Sequence, residues 1–141
     1  MISRSLCATI ALLLSSPAAA HGPPETVAVK FQGAVPNIPG KSLLAAEVTF
    51  PPGRVSPPHH HADSAFIYAY VLSGAIRSQV EGEPARIYHA GESWSEAPGA
   101  HHIQAQNMSK SQPAKLLAIF VVDSKDQQLT TPDPATPVHG R

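Results

Sequence analysis

Histidine is concentrated in two short segments of this 141-residue chain. The first group is His59-His60-His61, and the second is His101-His102. Imidazole is the most common side-chain metal ligand, because its neutral ring nitrogen carries a lone pair near physiological pH. Each group is preceded by proline and glycine and followed by a β-rich apolar run. The pattern indicates one metal site that is assembled from two hairpins.

The spacing within the first group separates its three side chains. Residues two apart on a strand point to the same face, so His59 and His61 lie together while His60 points to the opposite face. Two imidazoles on one face can share an ion, and the third ligand must come from elsewhere in the fold. Either His101 or His102 offers it. The alternative interpretation is an exposed proline-rich loop that takes up metal adventitiously.

The segments that position these histidines have the pattern of short strands separated by turns. Apolar residues alternate with polar ones, or form short continuous β-rich runs, and no window has a helical period. Turn residues recur at short intervals, which is typical of an all-β sandwich or barrel. The predicted strands are 26–31, 42–50, 66–72, 75–80, 85–89, 92–96, 101–108 and 115–123.

Both ends of the chain are predicted to lie outside this β domain. Residues 1–20 combine Arg4, a short apolar segment and a small-residue ending at Ala20, which predicts a secretory signal peptide; a membrane anchor is the alternative. Cleavage removes Cys7, the single cysteine, so no disulfide is expected. Residues 124–141 are polar and rich in proline, which predicts a flexible tail.

The charge balance argues against two classes of partner. The chain has 10 Lys and Arg against 10 Asp and Glu, with no run of like charge. We therefore expect neither nucleic acid nor an anionic membrane surface as a partner, but a small molecule or another protein. A separate hypothesis concerns His21, whose amine and imidazole could together bind copper if cleavage makes it the N-terminus.

The two histidine segments resemble the two signature motifs of the cupin superfamily. The first motif is similar to a segment of this chain that has Gly53, five residues, His59, one residue and His61, and that ends at Gly74. Residues 91–107 are similar to the second motif. The likeness is to small bacterial type-2, quercetin-dioxygenase-like members. The resemblance implies an all-β, double-stranded β-helix (jelly roll) over residues 26–123, preceded by a short arm.

Carried over by position, the resemblance implies that His59, His61 and His102 bind a divalent metal ion such as Fe, Mn, Ni or Zn. His101 becomes a neighbour that orients a ligand or moves a proton near a substrate. Members of the family usually add a glutamate after the first two histidines. Counted back from the end of the motif, that position is Ile67; counted forward, it falls on Ala65 or Phe66.

The absent glutamate raises the question of a substitute ligand. Three neutral imidazoles alone leave a divalent ion with its full charge and more open positions. Glu96 is the favoured substitute, with a solvated surface carboxylate as its alternative interpretation, and Gln79 and Tyr70 are further candidates. The aromatic residues Tyr68 and Trp94 either line the barrel mouth or pack in the core.

Two functions from different classes are compatible with these residue patterns. The first is a metal-dependent enzyme with dioxygenase-like or isomerase-like chemistry on a small oxygenated molecule, in which His101 or Glu96 moves a proton. The second is a non-catalytic cupin that binds or senses a small ligand or a metal. The predicted signal peptide places either protein in the periplasm or outside the cell, and the family resemblance implies a possible homodimer.

Overall fold

Eleven strands and no helix make up residues 23–134, the part of the chain that the computed structural model describes. This confirms the all-β prediction. Within this range no helix is long and apolar enough to cross a membrane. The predicted signal peptide, His21 and residues 135–141 lie outside the described residues. The strands are β1 (Thr26–Ala34), β2 (Lys41–Phe50), β3 (Val55–Ser56), β4 (His59–His61), β5 (Phe66–Ser73), β6 (Ala75–Val80), β7 (Arg86–His89), β8 (Ser93–Glu96), β9 (His101–Asn107), β10 (Ala114–Asp123) and β11 (Thr130–Pro132).

The strands form two antiparallel sheets. One sheet has the order β1-β2-β10-β5-β8, and the other has the order β11-β4-β9-β6-β7, with β3 paired to β9. Most connections pass from one sheet to the other, as in a double-stranded β-helix. The jelly roll implied by the two motifs is therefore confirmed.

The core lies between the two sheets and is built from every second residue of the central strands. On β5, Ile67 and Val71 are buried, and on β10, Leu116 and Phe120 are buried, while their chain neighbours point away. Burial of each such side chain contributes about 1.5 to 3 kcal/mol. This alternation fixes which residues of β5 can reach the interior.

A glycine turn at the end of the first motif connects β5 to β6. Gly74 has φ of +77°, and a Cβ at this position would lie 3.0 Å from Cβ of Ala114. Both the left-handed backbone and the close contact require glycine. The turn sends the chain from the first sheet into the second.

An asparagine at the end of the second motif joins the end of β2 to the loop that follows β9. The buried Nδ2 of Asn107 donates hydrogen bonds to the carbonyl oxygens of Phe50, Pro51 and Gln112 at 2.8–3.1 Å. Its Oδ1 accepts a bond from the backbone N–H of Ser109. Asn107 thus closes one end of the barrel.

The structure differs from the sequence prediction for residues 124–134, which were expected to belong to a flexible tail. They include β11, whose Thr130, Thr131 and Pro132 pair with His61, His60 and His59. This segment is too short and too polar to have a strand signature of its own. It forms a strand because the edge of β4 offers it unpaired backbone groups.

Candidate metal centre

The register of β4 against β9 divides the histidines into an inner and an outer set. His59 is paired with His102, and His60 is paired with His101. Successive side chains on a strand point to opposite faces, so one pair faces the barrel interior and the other faces outward. His61 joins the inner pair from two residues along β4.

The inner set is compact and shielded from solvent. The ring centroid of His59 lies 4.8 Å from that of His61 and 5.1 Å from that of His102, and the last two are 6.2 Å apart. His61 and His102 are buried, and His59 is half-buried. One ligand atom from each ring lies within 4.8 Å of the others, so the three histidines could hold a metal ion.

A carboxylate from β8 completes this cluster. Glu96 is buried, with Oε1 3.4 Å from Nδ1 of His102 and Oε2 3.1 Å from Nε2 of His61. Trp94 donates its indole N–H to Oε1 at 3.0 Å. Among the described residues Oε2 has no hydrogen-bond donor, since its approach to His61 lacks hydrogen-bond geometry. A buried carboxylate oxygen without a partner is unusual in a folded protein.

Burial and mutual contact set the ionisation of these groups. Burial lowers the pKa of His102 to about 4, and burial is also the main cause that lowers the pKa of His59. Burial alone would raise the pKa of Glu96, but the imidazoles of His61 and His102 outweigh it, and its pKa is lowered. At neutral pH the cluster therefore holds an ionised carboxylate and neutral rings at His59 and His102, the forms that bind metal.

Polar contacts on the far side of each ring hold it in place. Nδ1 of His59 lies 2.9 Å from the carbonyl oxygen of Pro57, and Nδ1 of His61 lies 3.4 Å from that of Leu129. A carbonyl only accepts, so the contact of His59 places its ring proton on Nδ1 and leaves its Nε2 free. The hydroxyl of Ser78 contacts Nε2 of His102 at 2.8 Å.

Two residues whose side chains contact the rings, Ser78 and Thr130, were not predicted. Ser78 lies on β6 two residues after the buried Ile76, so strand alternation could have placed it inside the barrel. Thr130, whose hydroxyl is 3.3 Å from Nδ1 of His61, lies in β11 and had no sequence signal.

A cavity of about 390 Å³ opens beside the cluster, and its walls are mostly apolar. Trp94 lines this cavity, which is one of the two roles predicted for that residue. Tyr68 does not, and its side chain is 40% exposed on the outer face of β5. The cause is strand alternation, because Ile67 and Ala69 on either side of it point inward. Gln79 and Tyr70, the other candidate substitute ligands, do not line the cavity either.

The structure places His101 outside the barrel, which contradicts its predicted role beside a bound substrate. Its ring stacks on that of His60 with centroids 4.0 Å apart and an angle of 5° between the planes. Its Nε2 lies 2.8 Å from Oδ2 of Asp133. We call His60, His101 and Asp133 the outer cluster.

Comparison with known proteins agrees with this architecture. A family model described as a cupin domain matches residues 46–120, which confirms the resemblance seen in the two motifs. No curated protein sequence matches the chain significantly.

Solved structures with the same fold are similar at low sequence identity. A double-stranded β-helix protein of Klebsiella pneumoniae aligns with a TM-score of 0.60 and 13% identity, over 84% of this chain and 90% of its own. The Cnp3 cupin domain of Schizosaccharomyces pombe aligns with a TM-score of 0.57 and 17% identity, over 70% of this chain and 61% of its own. An oxalate oxidase in complex with the substrate analogue glycolate has a TM-score of 0.52 and 26% identity, over 79% of this chain and 63% of its own. The chain thus spans less than two thirds of the last two proteins.

Proposed function

The chain belongs to the cupin family, and we propose that it binds a divalent metal ion through His59, His61, His102 and Glu96. The observation that carries this proposal is the buried Oε2 of Glu96, which has no hydrogen-bond donor and lies 3.1 Å from Nε2 of His61. When the ring proton of His61 is on Nδ1, the form in which Nε2 can bind a metal, both of these atoms present lone pairs to each other. A cation between them removes the repulsion.

Charge balance supports the same conclusion. The carboxylate of Glu96 beside the neutral imidazoles of His59 and His102 is a buried negative charge, and burial of an uncompensated charge costs several kcal/mol. A divalent ion neutralises it and uses the free ring nitrogens at the same time. Three nitrogens and one carboxylate suit Fe, Mn, Ni or Zn. Once bound, such an ion supplies Lewis acidity and open positions for an oxygen ligand.

The cavity indicates what kind of small molecule would reach that ion. Val48, Leu116 and Phe120 contribute to its walls, and no Lys or Arg of the described residues lines it. The carboxylate of Glu25 at the cavity is already paired with Arg54 and Ser56. We expect a ligand with an uncharged, apolar body and an oxygen that binds the metal.

The proposed activity is metal-dependent oxidation or isomerisation of such a molecule. The likeness to an oxalate oxidase supports oxidative chemistry as a starting hypothesis. Oxygen uptake with the metal-loaded protein and a panel of phenols and catechols tests oxidation, and chromatography of the same mixtures tests isomerisation. Turnover that is lost in His102→Ala would support an enzyme, and neither uptake nor conversion with any compound would contradict it.

A non-catalytic binding protein is the second candidate, and the position of His101 favours it. With His101 outside the barrel and Glu96 assigned to the metal, no predicted proton carrier remains free in the cavity. This function predicts that a phenol binds the metal-loaded protein and is recovered unchanged. Its conversion to a product would contradict it.

Export to the periplasm or the cell exterior is a further part of the proposal, and it depends on the signal-like sequence of residues 1–20. The mass of the protein recovered from its native compartment tests it. A mature N-terminus at His21 would support export, and an uncleaved chain in the cytoplasm would contradict it.

The metal proposal is tested by measuring bound metal in untagged protein. We expect the same metal content in the wild type and in His89→Ala, which removes an exposed histidine at the end of β7 and serves as the control. His59→Ala, His61→Ala and His102→Ala should each bind about one equivalent less than this control while keeping the β-sheet circular dichroism spectrum. Equal metal content in the control and all three variants would contradict the proposal.

A further inference from the structure

The outer cluster has the composition of a second metal site. It lies on the outside of the same two strands that carry the inner histidines, with His60 on β4 and His101 on β9 as direct register partners. Asp133 follows β11 and reaches both rings. One ligand atom from each of the three side chains lies within 4.8 Å of the others.

The two rings present nitrogens to the same carboxylate. Nδ1 of His60 lies 3.0 Å from Oδ1 of Asp133, and Nε2 of His101 lies 2.8 Å from Oδ2. Their stacking at 4.0 Å keeps these two nitrogens side by side. Because cross-strand partners are held close by the sheet, the backbone already supplies most of the ordering that a two-histidine site requires.

A second carboxylate prepares His101 for this role. Oε2 of Glu81 lies 3.5 Å from Nδ1 of His101, on the ring nitrogen that does not face Asp133. When a metal ion binds Nε2, this carboxylate can accept the hydrogen bond of the ring proton on Nδ1. Many metal-binding histidines are oriented by such a carboxylate.

The charges of the cluster are compatible with a bound cation. Glu81 and Asp133 bring two carboxylates beside two imidazoles, whose neutral form is the one that binds metal. No Lys or Arg of residues 23–134 forms an ion pair with either carboxylate. We propose that His60, His101 and Asp133 bind a second divalent metal ion, such as zinc, on the outer face of the barrel.

Binding requires no net proton release from the two rings if each keeps one proton. The proton on Nδ1 of His60 moves to Nε2, which is exposed, and that on Nε2 of His101 moves to Nδ1, which faces Glu81. The freed nitrogens and one oxygen of Asp133 then bind the ion, and solvent fills the remaining positions. The site also joins β11 to the barrel wall, since Asp133 directly follows that strand.

The test counts zinc ions in untagged, full-length protein by equilibrium dialysis against micromolar zinc. His60→Ala and Asp133→Ala should each bind one zinc ion fewer than the wild type. His89→Ala is the matched control, because it removes an exposed strand-end histidine outside both clusters. The side chain of His60 is 53% exposed, so its loss should leave the fold intact, which circular dichroism checks.

Zinc binding at the outer cluster can be measured separately from metal binding at the inner site. In the double variant His59→Ala/His102→Ala, one zinc ion should remain bound and should shift the ring NMR signals of His60 and His101. An unchanged zinc count in His60→Ala overturns the proposal. An equal loss in His89→Ala also overturns it, because it shows adventitious binding to exposed histidines.

Discussion

Ile67 on β5 and Glu96 on β8 are direct partners in one antiparallel ladder, and both side chains are buried inside the barrel. Counted back from the end of the first motif, Ile67 occupies the position where the cupin resemblance expects a metal-binding glutamate. The carboxylate is therefore present at the centre, but it comes from the neighbouring strand. Partners in such a ladder have their Cβ atoms about 4.5 to 5.5 Å apart, so either position can reach the same ion.

This relationship predicts that a carboxylate at position 67 can take over part of the role of Glu96. Glu96→Gln keeps the size of the side chain but removes its charge, and we expect metal affinity to fall about tenfold or more. Adding Ile67→Glu to that variant should recover part of the affinity, because it restores a carboxylate from the paired position. Competition with a chelating dye measures both. Equal affinity in the wild type and Glu96→Gln would contradict a ligand role for Glu96.

Ser78 should affect the metal without touching it. Its hydroxyl contacts Nε2 of His102 at 2.8 Å and fixes the ring. We expect Ser78→Ala to weaken metal binding by about tenfold, as the loss of an orienting partner commonly does. Ser95→Ala, on the exposed face of β8, is the control. The same dye competition applies, and identical affinities in the two variants would argue against this role.

Asn107 should matter for stability and not for the metal. Asn107→Ala leaves three loop carbonyls without their donor and should lower the free energy of unfolding by at least about 2 kcal/mol. Gln112→Ala is the control, because Gln112 contributes only its backbone carbonyl to this network. Urea denaturation of the metal-free proteins measures the difference. A loss of less than half this size would show that water replaces the bonds.

Acid should weaken the contact between Glu25 and Arg54. Burial would raise the pKa of Glu25, but hydrogen bonds from its own backbone, Ser56 and Arg54 more than offset this and lower it from 4.5. A lowered folded-state pKa means that the stabilisation is complete above the unfolded value and is lost as pH falls through the folded value. The urea midpoint of the wild type should therefore fall more steeply below pH 4.5 than that of Glu25→Gln. Parallel curves would contradict the prediction.

The strands and the inner histidines were predictable because they follow from local patterns. Alternation, a glycine turn and a continuous apolar run placed β2, β6 and β10, respectively, within a residue or so of their observed bounds. The same period of two placed His59 and His61 on one face. The likeness to two sequence motifs then supplied His102, which no local pattern could distinguish from His101.

The remaining features depend on which strands become neighbours, and the sequence does not reveal that locally. Tyr68 and His101 were assigned to the interior. Each instead lies next to an inward-facing residue of its strand, so its own side chain points outward. Asp133 and Thr130 reach the histidines only because β11 pairs with β4, and these two strands are far apart in the sequence. Glu96 was named for its place on the same hairpin as Pro98, whereas its pairing with Ile67 explains its position.

Anomalous diffraction from crystals of the metal-loaded protein, recorded at the absorption edge of the bound metal, tests the four-ligand centre most directly. We expect a strong peak inside the barrel, within bonding distance of His59, His61, His102 and a carboxylate oxygen of Glu96. A barrel interior without a peak in fully loaded crystals, or a peak that Glu96 does not contact, would contradict it.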